Sequence, residues 1–168
     1  MKKSEEELEI KHRDEPNWVT WSTSKHTEDE IRTAYLTTPE LICTTYLCRY
    51  CVLSEDFIEE LIVLSTGIFA HKPELYTEAN RNLIKEIMFV EPTSKRNDAI
   101  MQYKKPEESD VSDEFVFYLK TTFGHTNIRS KVDWWQIANY QNLSQEFKDK
   151  FEVQFSQAKV KSEAEFVN

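Results

Sequence analysis

An eight-residue pattern, Tyr-x-x-Leu-Ser-x-acid-Phe, occurs twice in this chain, at Tyr50–Phe57 and again at Tyr140–Phe147. Each position has a local task. The serine is placed to accept a hydrogen bond from a free backbone N–H at a helix start, and the acids behind it meet the positive end of the helix dipole. Leu53, just before the cap, stands five residues ahead of Ile58 and can pack on it, fixing the angle at which the chain enters the helix. Val111 and Val116 repeat that relation around Ser112-Asp113-Glu114-Phe115, whereas Leu143 faces Lys148 and the last copy lacks it. Tyr50 and Tyr140 belong to a preceding helix, so the unit predicts two helices joined by a turn of two or three residues.

Composition points the same way. With 2 Gly in 168 residues the chain has little material for tight primed hairpins or glycine-rich loops, and helix is the default. Hydrophobic residues at 39%, with 10 Phe, 7 Tyr and 4 Trp, suffice for a buried core. Against 21 bases stand 30 acids, a formal charge of -9, which repels nucleic-acid phosphate and anionic lipid unless a basic patch overrides it. None is evident: Lys95-Arg96, Lys104-Lys105 and Arg129 with Lys131 read as solvated surface charge. The start, Met1-Lys2-Lys3-Ser4-Glu5, lacks the apolar core of a signal peptide, and no apolar run approaches the roughly 18 residues of a membrane span. The cysteines, crowded and odd in number, argue against a disulfide framework. These features predict a protein of a reducing, cytoplasmic compartment that contacts neither membrane nor nucleic acid directly.

Residues 1–15 hold too few apolar positions to bury and read as a flexible arm. A helical half over 16–90 follows. Trp18 and Trp21 fit a helical turn or a strand equally. Thr27-x-x-Glu30 is a reciprocal cap before a helix over 28–36. Thr38-Pro39 predicts a helix to about 51, and Ser54 starts one whose Phe57, Leu61, Leu64 and Ile68 share a face and which Gly67 ends. Pro73 opens another through Leu75, Ala79, Leu83 and Ile87. Residues 91–110, with Pro92 and Pro106, read as a linker or excursion around a short helix at 97–103. The second helical half, 111–160, begins at Ser112, where Phe115–Tyr118 is a helix with a strand as the alternative. It closes with helices over 131–141 and 145–160, before a frayed tail at 161–168. The expected fold is mostly α, about six to eight helices packed as hairpins, with room for one short strand element.

The stretch from Trp134 to Phe147, reading Trp-Trp-Gln-Ile-Ala-Asn-Tyr-Gln-Asn-Leu-Ser-Gln-Glu-Phe, resembles the Trp-x-x-Ile-Ser-x-Tyr-Gln-x-Leu-Ser-Glu-x-Phe repeat of many proteins of phages and large DNA viruses. The match covers one helical hairpin, at Trp134, Ile137, Tyr140, Gln141, Leu143, Ser144 and Phe147, with Ala138 where that repeat has Ser. The copy at 44–57 carries Thr44 and Cys51 in place of Trp and Gln, and the copy at Ser112 keeps only the second helix start. The resemblance implies a viral or phage origin and a helical scaffold, and it implies no active site.

Cys43-x4-Cys48-x2-Cys51, with His71 as a fourth ligand, is the sharpest candidate for chemistry, since three thiolates and an imidazole make a closed tetrahedral zinc site. Against it, Cys48 aligns with a plain alanine, Ala138, and Cys48 and Cys51 fall late in a helix, where thiolates are not stabilised. The expectation is free cysteines and no cofactor. His12, His26, His71 and His125 are scattered. Glu55-Asp56 with Glu59-Glu60 are acids that suit a Mg²⁺ site or a mimic of backbone phosphates, although their place at a helix start already accounts for them.

The reading that follows is a non-enzymatic protein-binding module of viral or phage type that docks on a host protein in the host cytoplasm and inhibits it. A nuclease of a defence system is one candidate target. Trp18, Trp21 and Trp135 are the expected aromatic anchors of the interface, with Glu55, Asp56, Glu59 and Glu60 as an acidic docking row. The alternatives are an acidic nucleic-acid mimic that blocks a basic channel and a metal-dependent hydrolase.

Overall fold

Thr27, Ser54, Ser112 and Ser144 all stand one residue before a helix, where the sequence places them. Each side-chain oxygen accepts from the backbone N–H three residues on, at 3.2, 3.1, 3.2 and 3.2 Å. The computed structural model describes residues 18–167, with side chains from 20 to 161. The arm expected at 1–15 lies outside them, as does the side chain of Trp18. In chain order the helices are α1 (Trp18–Thr23), α2 (Glu28–Thr37), α3 (Thr44–Tyr50), α4 (Glu55–Leu64), α5 (Glu78–Met88), α6 (Arg96–Gln102), α7 (Asp113–Tyr118), α8 (Trp134–Tyr140), α9 (Gln145–Lys150) and α10 (Glu152–Val167). Among the described residues there is no strand, and Phe115–Tyr118 is helical.

The helices form three stacked hairpins, α1 with α2, α3 with α4, and α8 with α9. Their short first helices make one row, α1 against α3 against α8, while α2 packs on α4. The first hairpin is a degenerate copy of the unit. Trp21, Ser22 and Thr27 take the places of Leu47, Cys48 and Ser54, with one residue fewer between first helix and cap. That missing residue, and a threonine at the cap, hide the copy from a search for Leu-Ser-x-acid-Phe.

Two proline-based expectations are corrected. Pro39 opens only a 3-10 turn, Pro39–Leu41, and α3 does not begin until Thr44. The cause is tertiary: Ser22 Oγ of the first hairpin accepts from Cys43 N at 2.8 Å, which draws the chain out at Ile42 and Cys43 before the helix can start. Pro73 likewise makes the turn Pro73–Leu75, and α5 starts at Glu78 behind the cap of Thr77. At the other end of the chain α10 is helical through Val167, past the point at Lys161 where fraying was expected.

Helix α4 is the centre of the molecule. Phe57, Ile58, Leu61, Ile62, Val63 and Leu64 are all buried, each worth roughly 1.5–3 kcal/mol of transfer from water. Gly67 turns the chain away at φ 80, a conformation that costs other residues a steric penalty. From there residues 65–133 make an excursion through α5, α6 and α7, which covers the flank of α4 and returns to α8. Phe69 stacks on Phe115 at 5.1 Å inside it.

The segment expected as a linker at 91–110 is folded into this excursion, with Ile100 fully buried. Arg96 is not solvated as its composition suggested; it is 8% exposed. Its guanidinium donates to the carbonyls of Met88, Ile128 and Val90 at 2.7, 3.1 and 3.4 Å, closing the end of α5 onto the strap that leads to α8. Buried residues from Ile31 to Phe151 form one continuous cluster, so both helical halves share a core.

Candidate functional site

The contacts between hairpins are chemically repeated. Glu28, the first residue of α2, accepts from Ser54 N at 2.7 Å and from Ser54 Oγ at 3.1 Å, across to the start of α4. Glu55, the first residue of α4, accepts in the same way from Ser144 N and Oγ at 2.5 and 2.9 Å, across to the start of α9. A carboxylate from one helix start therefore satisfies an orphan N–H of the next.

A second clamp joins the first helices. The Gln141 amide donates to the carbonyls of Cys48 and Cys51 at 2.8 and 2.7 Å and accepts from Leu53 N at 3.0 Å. One hairpin earlier, Cys51 stands in the place of Gln141. Its thiol faces the carbonyls of Ser22 and Ser24, at 3.9 and 3.5 Å.

Internal contacts account for three of the four expected acids. Glu55 is occupied at Ser144. Glu60 accepts from Arg32 Nε at 2.5 Å and Nη2 at 2.8 Å and from Tyr76 Oη at 2.5 Å. Glu59 lies 2.8 and 2.7 Å from the ammonium groups of Lys85 and Lys150. Burial alone raises the pKa of both carboxyls, yet these hydrogen bonds and the neighbouring charges outweigh it and hold each below the ordinary glutamate range. Of the expected acidic row only Asp56 is left as an exposed acid without such a partner. The row is a set of internal ties between α4 and its neighbours.

The weak metal set does not assemble. Cys48 is fully buried, and burial pushes its thiol up to about 12; burial raises Cys51 as well. Cys43 is half-buried and lines a different groove, with Tyr35, Ser65 and Lys131. His71 sits in a left-handed turn, its ring 3.9 Å from Glu40. Among the described residues no three His, Cys, Asp or Glu side chains converge where a metal ion would fit. No described helix is long and apolar enough to cross a membrane.

The tryptophans divide. Trp134, half-buried, packs against Phe151 and Phe155 at the edge of the core, with ring centroids at 4.9 and 5.3 Å. Trp21 is half-buried and stacks on His26 at 3.8 Å. Trp135, also half-buried, lines a groove of roughly 680 Å³ between α8 and α10, beside Gln154 and Gln157.

A different group stands out on the surface. Arg49 places its guanidinium 5.1 Å from the ring of Tyr50 and 4.8 Å from that of Tyr140, across the junction of the second and third hairpins. Tyr50 and Tyr140 are 46% and 47% exposed, and Val52 beside them is 91% exposed. Sequence reasoning treated the two tyrosines only as helix-end markers. Their recurrence at one position of the unit was the available signal, because stacked repeats bring equivalent positions side by side. No protein-family profile matches this chain, and no curated protein or solved structure shows significant similarity to it.

Proposed function

We propose that the chain is a non-enzymatic protein-binding module that docks through the Tyr50–Arg49–Tyr140 face. In this reading it is of the viral or phage type that its repeat resembles, and it binds and inhibits a host protein in the host cytoplasm. The observation that carries the reading is the cation–aromatic cluster itself. Tyrosine and arginine are the residue types that most often dominate binding energy, and here the cation holds both rings in place before any partner arrives. The cluster spans two hairpins, so the packed array is what positions it. A defence-system nuclease is one target class the reading accommodates.

The test is capture from host cells by the tagged full-length protein, beside a variant carrying Arg49→Ala, Tyr50→Ala and Tyr140→Ala. The expected result is one or a few proteins retained by the wild type and depleted at least tenfold with the variant, at unchanged thermal stability. Equal retention by both proteins would overturn the assignment of this face.

A further inference from the structure

We infer that the open end of the hairpin array is a second docking site, built for a helical hairpin on a partner that presents a glutamine side chain. This deepens the protein-binding reading and rests on it. At each internal junction one face of the first helix is closed by the next hairpin. Ser22 and Cys48, at equivalent positions, are both 0% exposed because of that closure. Ala138 holds the same position in the third hairpin and is exposed. Helix α10 packs on α8 beside Trp134 and Trp135 and leaves Ala138 uncovered.

The hydrogen-bonding groups at this end match those of the junction before it. Cys48 C=O, Cys51 C=O and Leu53 N–H receive the amide of Gln141. The corresponding groups of the third hairpin are Ala138 C=O, Gln141 C=O and Leu143 N–H. Among the described residues no side chain answers any of the three. Two acceptors and one donor in that arrangement suit a primary carboxamide, which has two N–H donors and an acceptor oxygen. A carboxylate brings no donor and an ammonium no acceptor.

The carboxylate clamp differs at this end. Glu28 and Glu55 each reach the next serine cap, but the third hairpin has Gln145 there, whose amide donates to its own Asp149 at 2.9 Å. At the opposite end of the row the corresponding groups have local partners. Thr27 Oγ1 donates to Glu30 within its own helix, and His26 Nε2 lies 2.8 Å from Trp21 O. The end at the third hairpin therefore repeats an interface already formed inside the chain. A glutamine three residues ahead of a Ser or Thr helix cap is the partner chemistry that interface specifies.

The test uses the full chain followed by a flexible Gly/Ser linker of about 30 residues and a second copy of residues 131–151. Tethering of this kind supplies an effective concentration near the millimolar range. The readout is hydrogen exchange at the Leu143 amide. The expected result is exchange slowed at least tenfold. That protection should vanish when the tethered glutamine is changed to alanine, and also in the fusion carrying Ala138→Arg, a substitution at an exposed site. Unchanged exchange in the parent fusion overturns the inference, and so does protection that survives Ala138→Arg. No host protein takes part, so a failure here leaves the capture result at the Tyr50 face standing, and the reverse holds.

Discussion

Replacing Gln141 by alanine removes the clamp between the second and third hairpins in one step. The side chain makes three hydrogen bonds, two given to the carbonyls of Cys48 and Cys51 and one taken from Leu53 N. Each is worth about 1 kcal/mol net, and a donor or acceptor left unpaired away from water costs more. Because Gln141 is half-buried, water reaches part of the gap, and the loss should be about 2–3 kcal/mol. For a domain of this size that is a fall in Tm of roughly 5–10 °C.

Gln141→Glu separates the clamp from mere volume. The glutamate keeps the shape and can still accept from Leu53 N, but at neutral pH its second oxygen faces two carbonyls with no proton between them. It should lose at least as much as the alanine variant at pH 7 and recover toward wild type as acid restores a donor. Urea denaturation followed by circular dichroism, at pH 7 and again at pH 4.5, measures both. If the two variants stay within about 0.5 kcal/mol of wild type, the ordinary range for surface changes, the clamp carries no stability and the reasoning fails.

Glu60 gives a pH signature. Its folded-state pKa is depressed, so its stabilising contribution is full above the unfolded value and drains away as pH falls through the folded one. Glu60→Gln should cost about 2 kcal/mol at pH 7 and flatten the stability profile below pH 4.5, which thermal melts across pH 3–7 would record. Native alkylation should label Cys43 while sparing the buried Cys48 and Cys51, with all three modified after denaturation; mass spectrometry of the labelled peptides decides it, and rapid native labelling at Cys48 would contradict the packing. At Gly124 an added Cβ would lie 2.6 Å from the carbonyl oxygen of Lys120 and collide with the sulfur of Met101. Gly124→Ala should therefore destabilise by roughly 1–3 kcal/mol, read as a lower urea midpoint.

The helix starts at Ser54, Ser112 and Ser144 were legible because a cap is a local matter of one side chain and one N–H. The apolar stripe of α4 was legible for the same reason. What sequence reasoning missed depends on partners distant in the chain. Glu55 and Gln141 act 89 and 90 residues from Ser144 and Cys51, and nothing in either local sequence names its target. Glu59 and Glu60 looked like part of a docking row because the bases that answer them, Arg32, Lys85 and Lys150, come from three other helices. Arg96 was misread likewise, since its acceptors are carbonyls, which every residue carries. The candidate surface moved from tryptophan to tyrosine because Trp21 is half-buried against His26 and Trp135 is half-buried beside α10, while Tyr50 and Tyr140 remained exposed at the ends of short helices.

A carboxylate from one hairpin holds the helix start of the next, and the array depends on that tie. A double-mutant cycle between Glu55→Ala and Ser144→Ala, measured by equilibrium urea denaturation, tests it most directly, because the loss of the serine's own cap to Phe147 N cancels within the cycle. The predicted coupling is about 0.5–1.5 kcal/mol for the hydroxyl-to-carboxylate bond. Strict additivity of the two losses would contradict the junction and the array built on it.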